Sequence, residues 1–470
     1  MPEPQSDALI LFGATGDLAY KQIFPALHAM TRRGRLNVPV IGVARGNWTV
    51  EQLRARARES IAAHGDLDPE TFSRFAERLH YVAGDYQDPA TFDALRRALG
   101  PVEHPLFYLA IPPSLFGTVV SELARSGCAT QARVIVEKPF GRDLASAQAL
   151  NTTIHRSFPE PAVYRIDHFL GKEAVQNLLY FRFANTFLEP IWSRDYIDSV
   201  QITMPEAFDV RGRGRFYEEV GAIRDVFQNH LLQILSLLAM DRPAASDGDA
   251  IDAARVAVLE AIRPLRAIDV VRGQYRGFRN EDGVAPTSQV ETYVAARLEI
   301  ENRRWSGVPF LIRTGKCLGV TATDVGVRLK QPASALFDSA ASTHRNEFRF
   351  GLNPNVFIAL TAQAKVPGEA MIGEDVRLVE HRCPGDEMEP YERLLGDALR
   401  GDRTLFGSQA GVEAAWRVVD PILKSDEAVP EYDCGSWGPA EAGRLAADAG
   451  GWLEPSVVER SREPESARFT

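Results

Sequence analysis

Residues 8–21 read ALILFGATGDLAYK: five apolar residues, then a glycine-containing turn, then the start of an amphipathic segment. The apolar run predicts a buried strand at Ala8–Phe12, and the pattern after the turn predicts a helix. Gly13 permits a tight turn, and Gly16 lets a phosphate approach the backbone where the helix begins. The stretch therefore predicts a dinucleotide-binding unit, although its G-x-x-G-x-x-A spacing departs from the standard G-x-G-x-x-G pattern.

Further apolar runs alternate with helical patterns through the first third of the chain. They predict strands at Val40–Ala44 (VIGVA), Leu106–Ile111 (LFYLAI) and Val134–Glu137 (VIVE), and a helix at Ser114–Arg125. Strands that alternate with helices indicate a doubly wound, mostly parallel sheet. We expect residues 1–177 to form this N-terminal Rossmann-like domain.

The pattern changes near residue 195, where longer segments show partial two-residue alternation. These segments predict strands at Ser199–Met204, Thr292–Ile300, Val325–Lys330 and Val356–Lys365. Such alternation is typical of an open, largely antiparallel sheet with one covered face. A long apolar helix, predicted at Ile223–Met240, is expected to pack on that sheet. Residues 178–470 are thus expected to form a larger α+β domain.

Composition excludes several classes of protein. The 470 residues carry 53 Lys and Arg against 63 Asp and Glu, and this net charge of −10 disfavours non-specific binding to nucleic acid. No apolar stretch approaches the roughly 18 residues of a membrane span. The first residues, MPEPQSDALILFG, lack the basic start of a signal peptide.

The four cysteines are far apart in the sequence and form no C-x-x-C pair. They are Cys128, Cys317, Cys383 and Cys434. Their spacing predicts neither a zinc site nor a disulfide framework, and a reducing cytoplasm is the expected compartment.

Two basic residues directly follow predicted strands, at the sheet edge where ligands bind in α/β folds. Arg45 follows VIGVA, beside the expected adenosine ribose, and an arginine there suits a 2′-phosphate. Lys138 lies in VIVEKPFGRD, where it can reach a nicotinamide or a substrate hydroxyl. The alternative for each residue is a solvated surface cation.

The segment RIDHFLGKE, Arg165–Glu173, is dense in ionisable groups. If a helix begins near Phe169, His168 and Lys172 lie one turn apart on one face. Two such donors near a helix start suit a phosphate, whereas the alternative is a solvated helix end.

A second polar cluster interrupts the apolar segment RDVFQNHLLQ, which contains Asp225, Asn229 and His230. Polar groups in an apolar helix must be paired or line a cavity. His230 is therefore either a proton acceptor or a hydrogen-bonded core residue. Further along, Lys316 follows the strand-like segment VPFLIR.

The order of the motifs is more informative than any one of them. GATGDLA, EKPFGRD, RIDHFLGKE, RDVFQNHLLQ, GVPFLIRTGK and YERLLGDAL resemble the glucose-6-phosphate dehydrogenase family over about residues 8–440. The resemblance implies oxidation of glucose 6-phosphate to 6-phosphoglucono-1,5-lactone in the pentose phosphate pathway. It implies NADP as cofactor, NAD as a second one, and no metal. It also implies a cytoplasmic homodimer or homotetramer, assembled through residues 178–470, with no nucleic-acid or membrane partner.

The same resemblance implies roles for individual residues. His230 would be the general base, and Asp167 would hydrogen-bond its ring. The implied substrate ligands are Lys138, His168, Lys172, Glu206, Asp225 and Lys316. The implied cofactor ligands are Gly13, Thr15, Gly16, Asp17, Leu18, Arg45, Phe116 and Lys138.

Three positions depart from the family pattern. Phe169 stands where the family usually has Tyr, Thr321 stands where a basic residue is common, and Gly46 follows Arg45. Gly46 leaves the choice between NADP and NAD open.

Two other functions compete with this interpretation. One is a related Rossmann oxidoreductase with an EKP motif that acts on a different sugar or sugar phosphate, and RIDHFLGKE argues against it. The other is a non-catalytic dinucleotide sensor, which the joint presence of Asp167, Lys172 and His230 disfavours.

Overall fold

The computed structural model describes residues 4–331, 345–382, 387–424 and 427–455. These residues form two compact units that are interleaved along the chain. The first comprises residues 4–179, 228–264 and 387–424. The second comprises residues 180–227, 265–331, 345–382 and 427–455.

The first unit contains a six-stranded parallel sheet. Its strands are β1 (Ala8–Phe12), β2 (Val40–Ala44), β3 (Leu79–Ala83), β4 (Pro105–Leu109), β5 (Arg133–Val136) and β6 (Val163–Arg165). They lie in the order β3-β2-β1-β4-β5-β6, and every pair is parallel. The predicted doubly wound fold is confirmed.

Helices cover both faces of this sheet, and β1 shows why its sequence is apolar throughout. Leu9 and Leu11 belong to one core cluster, whereas Ile10 and Phe12 belong to another, so alternate side chains point to opposite buried faces. The helices before β6 are α1 (Phe24–Arg32), α2 (Val50–His64), α3 (Pro69–Arg78), α4 (Pro89–Leu99), α5 (Phe116–Arg125) and α6 (Leu144–His155). A short π-helical segment, Ala19–Ile23, leads into α1.

The second unit contains a nine-stranded mixed sheet. Its strands are β7 (Ile197–Pro205), β8 (Val270–Tyr275), β9 (Tyr293–Leu298), β10 (Phe310–Gly315), β11 (Thr323–Leu329), β12 (Glu347–Asn353), β13 (Val356–Lys365), β14 (Gly373–Arg382) and β15 (Glu431–Tyr432). They lie in the order β14-β13-β12-β11-β7-β10-β9-β8-β15. Among the strand pairs formed by the described residues, only β7–β10 and β8–β15 are parallel, so the predicted open, largely antiparallel sheet is confirmed.

The remaining helices are α7 (Glu173–Ala184), α8 (Leu188–Ile191), α9 (Gly214–Ala222), α10 (Leu232–Ala239), α11 (Gly248–Ala261), α12 (Pro390–Arg400) and α13 (Gln409–Val419). The long helix predicted at Ile223–Met240 is a π-helical segment, Ile223–Leu231, followed by α10. It was expected to pack on the second sheet. From Gln228 onward it belongs instead to the first unit, where every residue of α10 is buried and α10 packs against α11.

The cysteine prediction was wrong in one respect. Cys317 and Cys434 form a disulfide, with their Cα atoms 4.7 Å apart and a sequence separation of 117. Sequence spacing does not reveal such a pair, because the strands bring the two residues together. Cys128 is free and buried, and Cys383 lies outside the described residues. Among the helices described, none has the length and apolar character needed to cross a membrane.

Candidate active site

The predicted phosphate-binding turn follows β1 directly. Gly13 has a φ of +81°, and a Cβ atom there would lie 2.1 Å from the carbonyl oxygen of Ala110, so only glycine fits. Gly16 and Asp17 are exposed at the start of the helical segment, and Thr15 and Leu18 are half-buried beside them. An exposed backbone turn before a helix fits the pyrophosphate of a dinucleotide.

Two other predicted cofactor ligands have different surroundings. Arg45 follows β2 and forms an ion pair with Asp85, at 3.1 Å, in which both side chains are about half exposed. Gly46, with a φ of +121°, then turns the chain toward α2. Phe116 is fully buried in the core of the first unit, so its ring offers a cofactor no surface.

A buried Asp–His pair lies past the carboxyl end of β6. Asp167 comes two residues after that strand, and His230 lies in the π-helical segment Ile223–Leu231. The Nδ1–H of His230 donates to Oδ1 of Asp167 at 2.6 Å, and both side chains are less than a tenth exposed. The backbone N–H of Phe169 donates to the same oxygen at 3.0 Å. The carboxylate therefore sets the ring orientation and leaves the lone pair on Nε2.

Lys138 lies against that lone pair because β5 and β6 are parallel neighbours. Val136 and Arg165 are register partners at the ends of the two strands, so Lys138 and Asp167 follow them side by side. The Lys138 ammonium lies 3.0 Å from Nε2 of His230. The Lys138–Pro139 peptide bond is cis.

Charges around Asp167 keep its carboxylate ionised. Burial by itself would raise the pKa of Asp167, but the charge and hydrogen bond of His230, with the charges of His168 and Lys138, outweigh burial and lower that pKa. A permanently ionised partner stabilises the imidazolium that forms when His230 accepts a proton.

The segment with His168 and Lys172 is a series of tight turns, and the expected helix start near Phe169 was wrong. The N–H groups of Leu170, Gly171 and Lys172 each bond the carbonyl three residues earlier, and α7 begins only at Glu173. The cause is local, because the Asp167 side chain accepts the N–H of Phe169 and favours a turn there.

Phe169 links the turn to the Asp–His pair. Its ring stacks on the His230 imidazole with centroids 4.3 Å apart, and the Lys172 ammonium lies 3.7 Å from the centre of the same ring. The phenyl ring thus orients both groups without the hydroxyl that Tyr would add at this position.

His168 and Lys172 differ in charge. Burial, together with the charge of His230, lowers the pKa of His168 to about 3, so its imidazole is neutral near pH 7. Burial also lowers the pKa of Lys172, against the opposing charges of Asp167 and Glu389. The turn therefore offers an anion one lysine cation and one neutral N–H donor.

The second unit brings together the other three predicted substrate ligands. Lys316 follows β10 and Glu206 follows β7, and these parallel strands end in register at Gly315 and Pro205. The Lys316 ammonium bonds the Glu206 carboxylate and lies 3.8 Å from Asp225. These polar groups can hydrogen-bond hydroxyls.

Thr321 and two aromatic rings lie around Lys316, Glu206 and Asp225, which we call the Lys316 group. The Oγ1 of Thr321 accepts the backbone N–H of Ala207 at 2.9 Å, so this side chain organises the segment after Glu206. The Lys316 ammonium lies 4.9 Å from the ring centre of Phe208 and 5.5 Å from that of Tyr217.

Sequence reasoning missed a buried network behind Lys138. Tyr108 donates its hydroxyl proton to Glu137 at 2.5 Å, and burial raises the pKa of Glu137 to about 7. Tyr391 lies near Glu137, where it opposes the effect of burial on the Glu137 pKa, and its ring lies nearly parallel to that of His168, with centroids 6.3 Å apart. The motifs EKPFGRD and YERLLGDAL contain Glu137 and Tyr391 and could have indicated this network. No role for either side chain is predicted from the sequence.

Among the described residues, Asp167, His168 and His230 also have the composition of a metal site, with their ligand atoms within 4.8 Å of one another. Asp167 Oδ1 and His230 Nδ1 bond each other, and the Lys138 ammonium lies 3.0 Å from the other ring nitrogen of His230. A neighbouring cation opposes a dication, so the geometry favours acid–base chemistry.

These features define a class of protein. The sheet is doubly wound and has a phosphate-binding turn after β1. A buried Asp–His pair lies at the carboxyl edge of the same sheet. This arrangement is that of a nicotinamide-dependent oxidoreductase.

Comparisons with known proteins narrow the class. Residues 10–177 match the family model "Glucose-6-phosphate dehydrogenase, NAD binding domain". Residues 179–453 match the model "Glucose-6-phosphate dehydrogenase, C-terminal domain". The chain is 42% identical to glucose-6-phosphate 1-dehydrogenase 1 of Mycobacterium tuberculosis over 96% of this chain and 97% of that one.

Two solved structures with similar folds belong to the same family. One is glucose-6-phosphate 1-dehydrogenase from Mycobacterium avium, with a TM-score of 0.91, 41% identity, and coverage of 97% of this chain and 100% of that one. The other is a glucose-6-phosphate dehydrogenase in complex with glucose 6-phosphate, with a TM-score of 0.89, 34% identity, and coverage of 96% and 100%. The chain belongs to the glucose-6-phosphate dehydrogenase family. It is accordingly a dehydrogenase that oxidises glucose 6-phosphate with a nicotinamide dinucleotide.

Proposed function

We propose that the enzyme prefers NADP and forms 6-phosphoglucono-1,5-lactone with His230 as the general base. The bound dinucleotide would accept the hydride from the anomeric carbon. The observation that carries the proposal is the Asp167–His230 pair, in which Nε2 keeps its lone pair and faces a lysine. Because Lys138 is the present partner of Nε2, an anomeric hydroxyl that replaces it would be placed to lose its proton to His230.

We propose that the remaining ligands act in three groups. His168 and Lys172 hold the 6-phosphate. Lys138, Glu206, Asp225 and Lys316 bind sugar hydroxyls. Gly13, Thr15, Gly16, Asp17 and Leu18 hold the dinucleotide phosphates, with Arg45 at the 2′-phosphate and Lys138 near the nicotinamide. Positioning and a base suffice for such a hydride transfer, and no metal is required.

The domain roles and setting are part of the same proposal. Residues 1–177 bind the dinucleotide, and residues 178–470 provide substrate binding and oligomerisation. The enzyme would work in the cytoplasm as a homodimer or homotetramer, with NAD as its second cofactor and no nucleic-acid or membrane partner.

The overall proposal is tested by following reduced nicotinamide during incubation of the purified chain with glucose 6-phosphate. We expect turnover with NADP, slower turnover with NAD, and almost none with unphosphorylated glucose. Equal rates with both sugars would contradict the assigned substrate.

The cofactor preference is expected to depend on Arg45. Charge-assisted hydrogen bonds contribute about 1.5–3 kcal/mol each, so Arg45→Ala should lower kcat/KM for NADP about tenfold to a hundredfold. The value for NAD should change far less, because NAD has no 2′-phosphate. Steady-state kinetics with both cofactors measures the difference.

Asp85 provides a second variant for this test. Since Asp85 now pairs with Arg45, Asp85→Asn should free the guanidinium and tighten NADP binding. Arg97→Ala, an exposed arginine on α4, serves as the matched control. Equal losses on NADP and NAD in Arg45→Ala would contradict the role of Arg45.

A further inference from the structure

The Cys317–Cys434 disulfide lies next to a proposed substrate ligand. Cys317 directly follows Lys316, at the carboxyl end of β10, and Cys434 follows β15 in the C-terminal segment 427–455. Cys317 is buried, whereas Cys434 is exposed. One sulfur of the bond therefore belongs to a residue that solvent reaches.

The C-terminal segment holds the Lys316 backbone through hydrogen bonds as well. The hydroxyl of Tyr432 donates to the carbonyl of Lys316 at 2.6 Å, and the N–H of Gly435 donates to the carbonyl of Cys317 at 2.8 Å. The disulfide adds a covalent link between these two contacts. It thus secures the segment that positions Lys316.

The backbone at Cys317 needs such support. Its φ of +54° lies in the left-handed region, which non-glycine residues rarely adopt unless the surroundings hold them there. The N–H of Cys317 also donates to the carbonyl of Phe208 at 3.0 Å, two residues after Glu206. A movement at Cys317 would therefore reach both Lys316 and the segment of its partner Glu206.

We propose that this disulfide is a thiol-exchange site for a cellular dithiol, and that its reduction weakens the binding of glucose 6-phosphate. The inference rests on the proposed role of Lys316 as a substrate ligand. A thiolate of the dithiol attacks Sγ of Cys434, forms a mixed disulfide, and releases Cys317 as a thiolate that takes up a proton. The second thiol of the reagent then attacks the mixed disulfide, releases Cys434 as a thiol, and closes a disulfide within the reagent.

Reduction removes the covalent support but leaves the chemistry of the Lys316, Glu206 and Asp225 side chains unchanged. The left-handed backbone at Cys317 is then held only by hydrogen bonds, and Lys316 samples more orientations. A looser ligand reduces substrate affinity more than turnover, because the Asp167–His230 pair is unchanged.

The test compares the air-oxidised full-length chain with the same protein treated with dithiothreitol. Alkylation and mass analysis first count the thiols in each form, and two additional alkylated cysteines, Cys317 and Cys434, are expected after reduction. We then expect KM for glucose 6-phosphate to rise at least about threefold on reduction, with kcat and the KM for NADP changing less.

Variants separate the disulfide from general effects of the reductant. Cys434→Ser should have the KM of the reduced enzyme and show no response to dithiothreitol. Cys128→Ser should respond like the wild type, since Cys128 is a free cysteine. Free Cys317 and Cys434 in the air-oxidised chain, an equal KM in both forms, or a response in Cys434→Ser would each overturn the inference.

A separate measurement distinguishes failure of the inference from failure of the proposed function. If neither form oxidised glucose 6-phosphate, the proposed function would fail, and calorimetric titration with glucose 6-phosphate would decide the inference. A larger Kd after reduction would support it, and an equal Kd would overturn it.

Discussion

Replacing His230 with Asn should lower kcat by about 10²- to 10⁴-fold, the usual contribution of a general base. The KM for glucose 6-phosphate should stay within a few-fold of the wild-type value, because the base acts mainly in the transition state. Asn keeps a polar group near Asp167 but offers no comparable proton acceptor. Initial rates over a range of substrate concentrations separate the two parameters.

Asp167→Asn extends this test to the partner of His230. An amide at this position no longer stabilises the imidazolium through charge, so turnover should fall as well. Because the two side chains are bonded at 2.6 Å, the double variant should lose less than the product of the single effects.

The control for both variants is His80→Asn, an exposed histidine on β3, which should retain full activity. Near wild-type turnover in His230→Asn would exclude the proposed base.

Glucose 6-phosphate should exceed glucose by several orders of magnitude in kcat/KM, and Lys172→Ala should remove most of that difference. Lys172 supplies the positive charge of the turn, and the neutral His168 supplies an N–H donor. Glucose leaves both groups without an anion. The loss of phosphate-binding energy should appear in kcat as well as in KM, because that energy also orients the reacting carbon.

The decisive measurement is kcat/KM for both sugars in each variant. Lys172→Ala should affect glucose little, and Lys330→Ala, an exposed lysine after β11, should affect neither sugar. If Lys172→Ala slowed both sugars equally, Lys172 would be a catalytic or structural residue. The phosphate ligand would then have to lie elsewhere.

Lys172→Ala also changes the surroundings of Phe169, since the ammonium lies 3.7 Å from the centre of that ring. Lys172→Gln keeps a long side chain over the ring but removes the charge. The same loss of discrimination in both variants would assign the effect to the charge and not to packing.

Much of the fold could be predicted from the sequence because burial is periodic. β1 and β2 have the predicted bounds, since a central parallel strand with both faces covered is apolar at every position. The second sheet was recognisable by its partial alternation, and β13 also has the predicted bounds. The motif order was sufficient to indicate the family.

Side-chain surroundings within the first unit could not be predicted in the same way. Whether Phe116 faces a ligand or the core depends on how α5 packs, and the helix pattern permits either. The Arg45–Asp85 ion pair depends on the alignment of β2 with β3, which local periodicity does not specify. The turn after Asp167 forms because one carboxylate accepts a nearby N–H, an option that competes with a helix start.

By itself the sequence determined the fold class, the family and the identity of the residues that could carry the chemistry. Only the tertiary structure decided which of them meet. Asp167 and His230 are 63 residues apart, and Cys317 and Cys434 are 117 apart, yet each pair is in direct contact. The physical reason is that local patterns encode which face of an element is buried. Contacts between distant residues depend instead on strand order and register, which are properties of the folded chain as a whole.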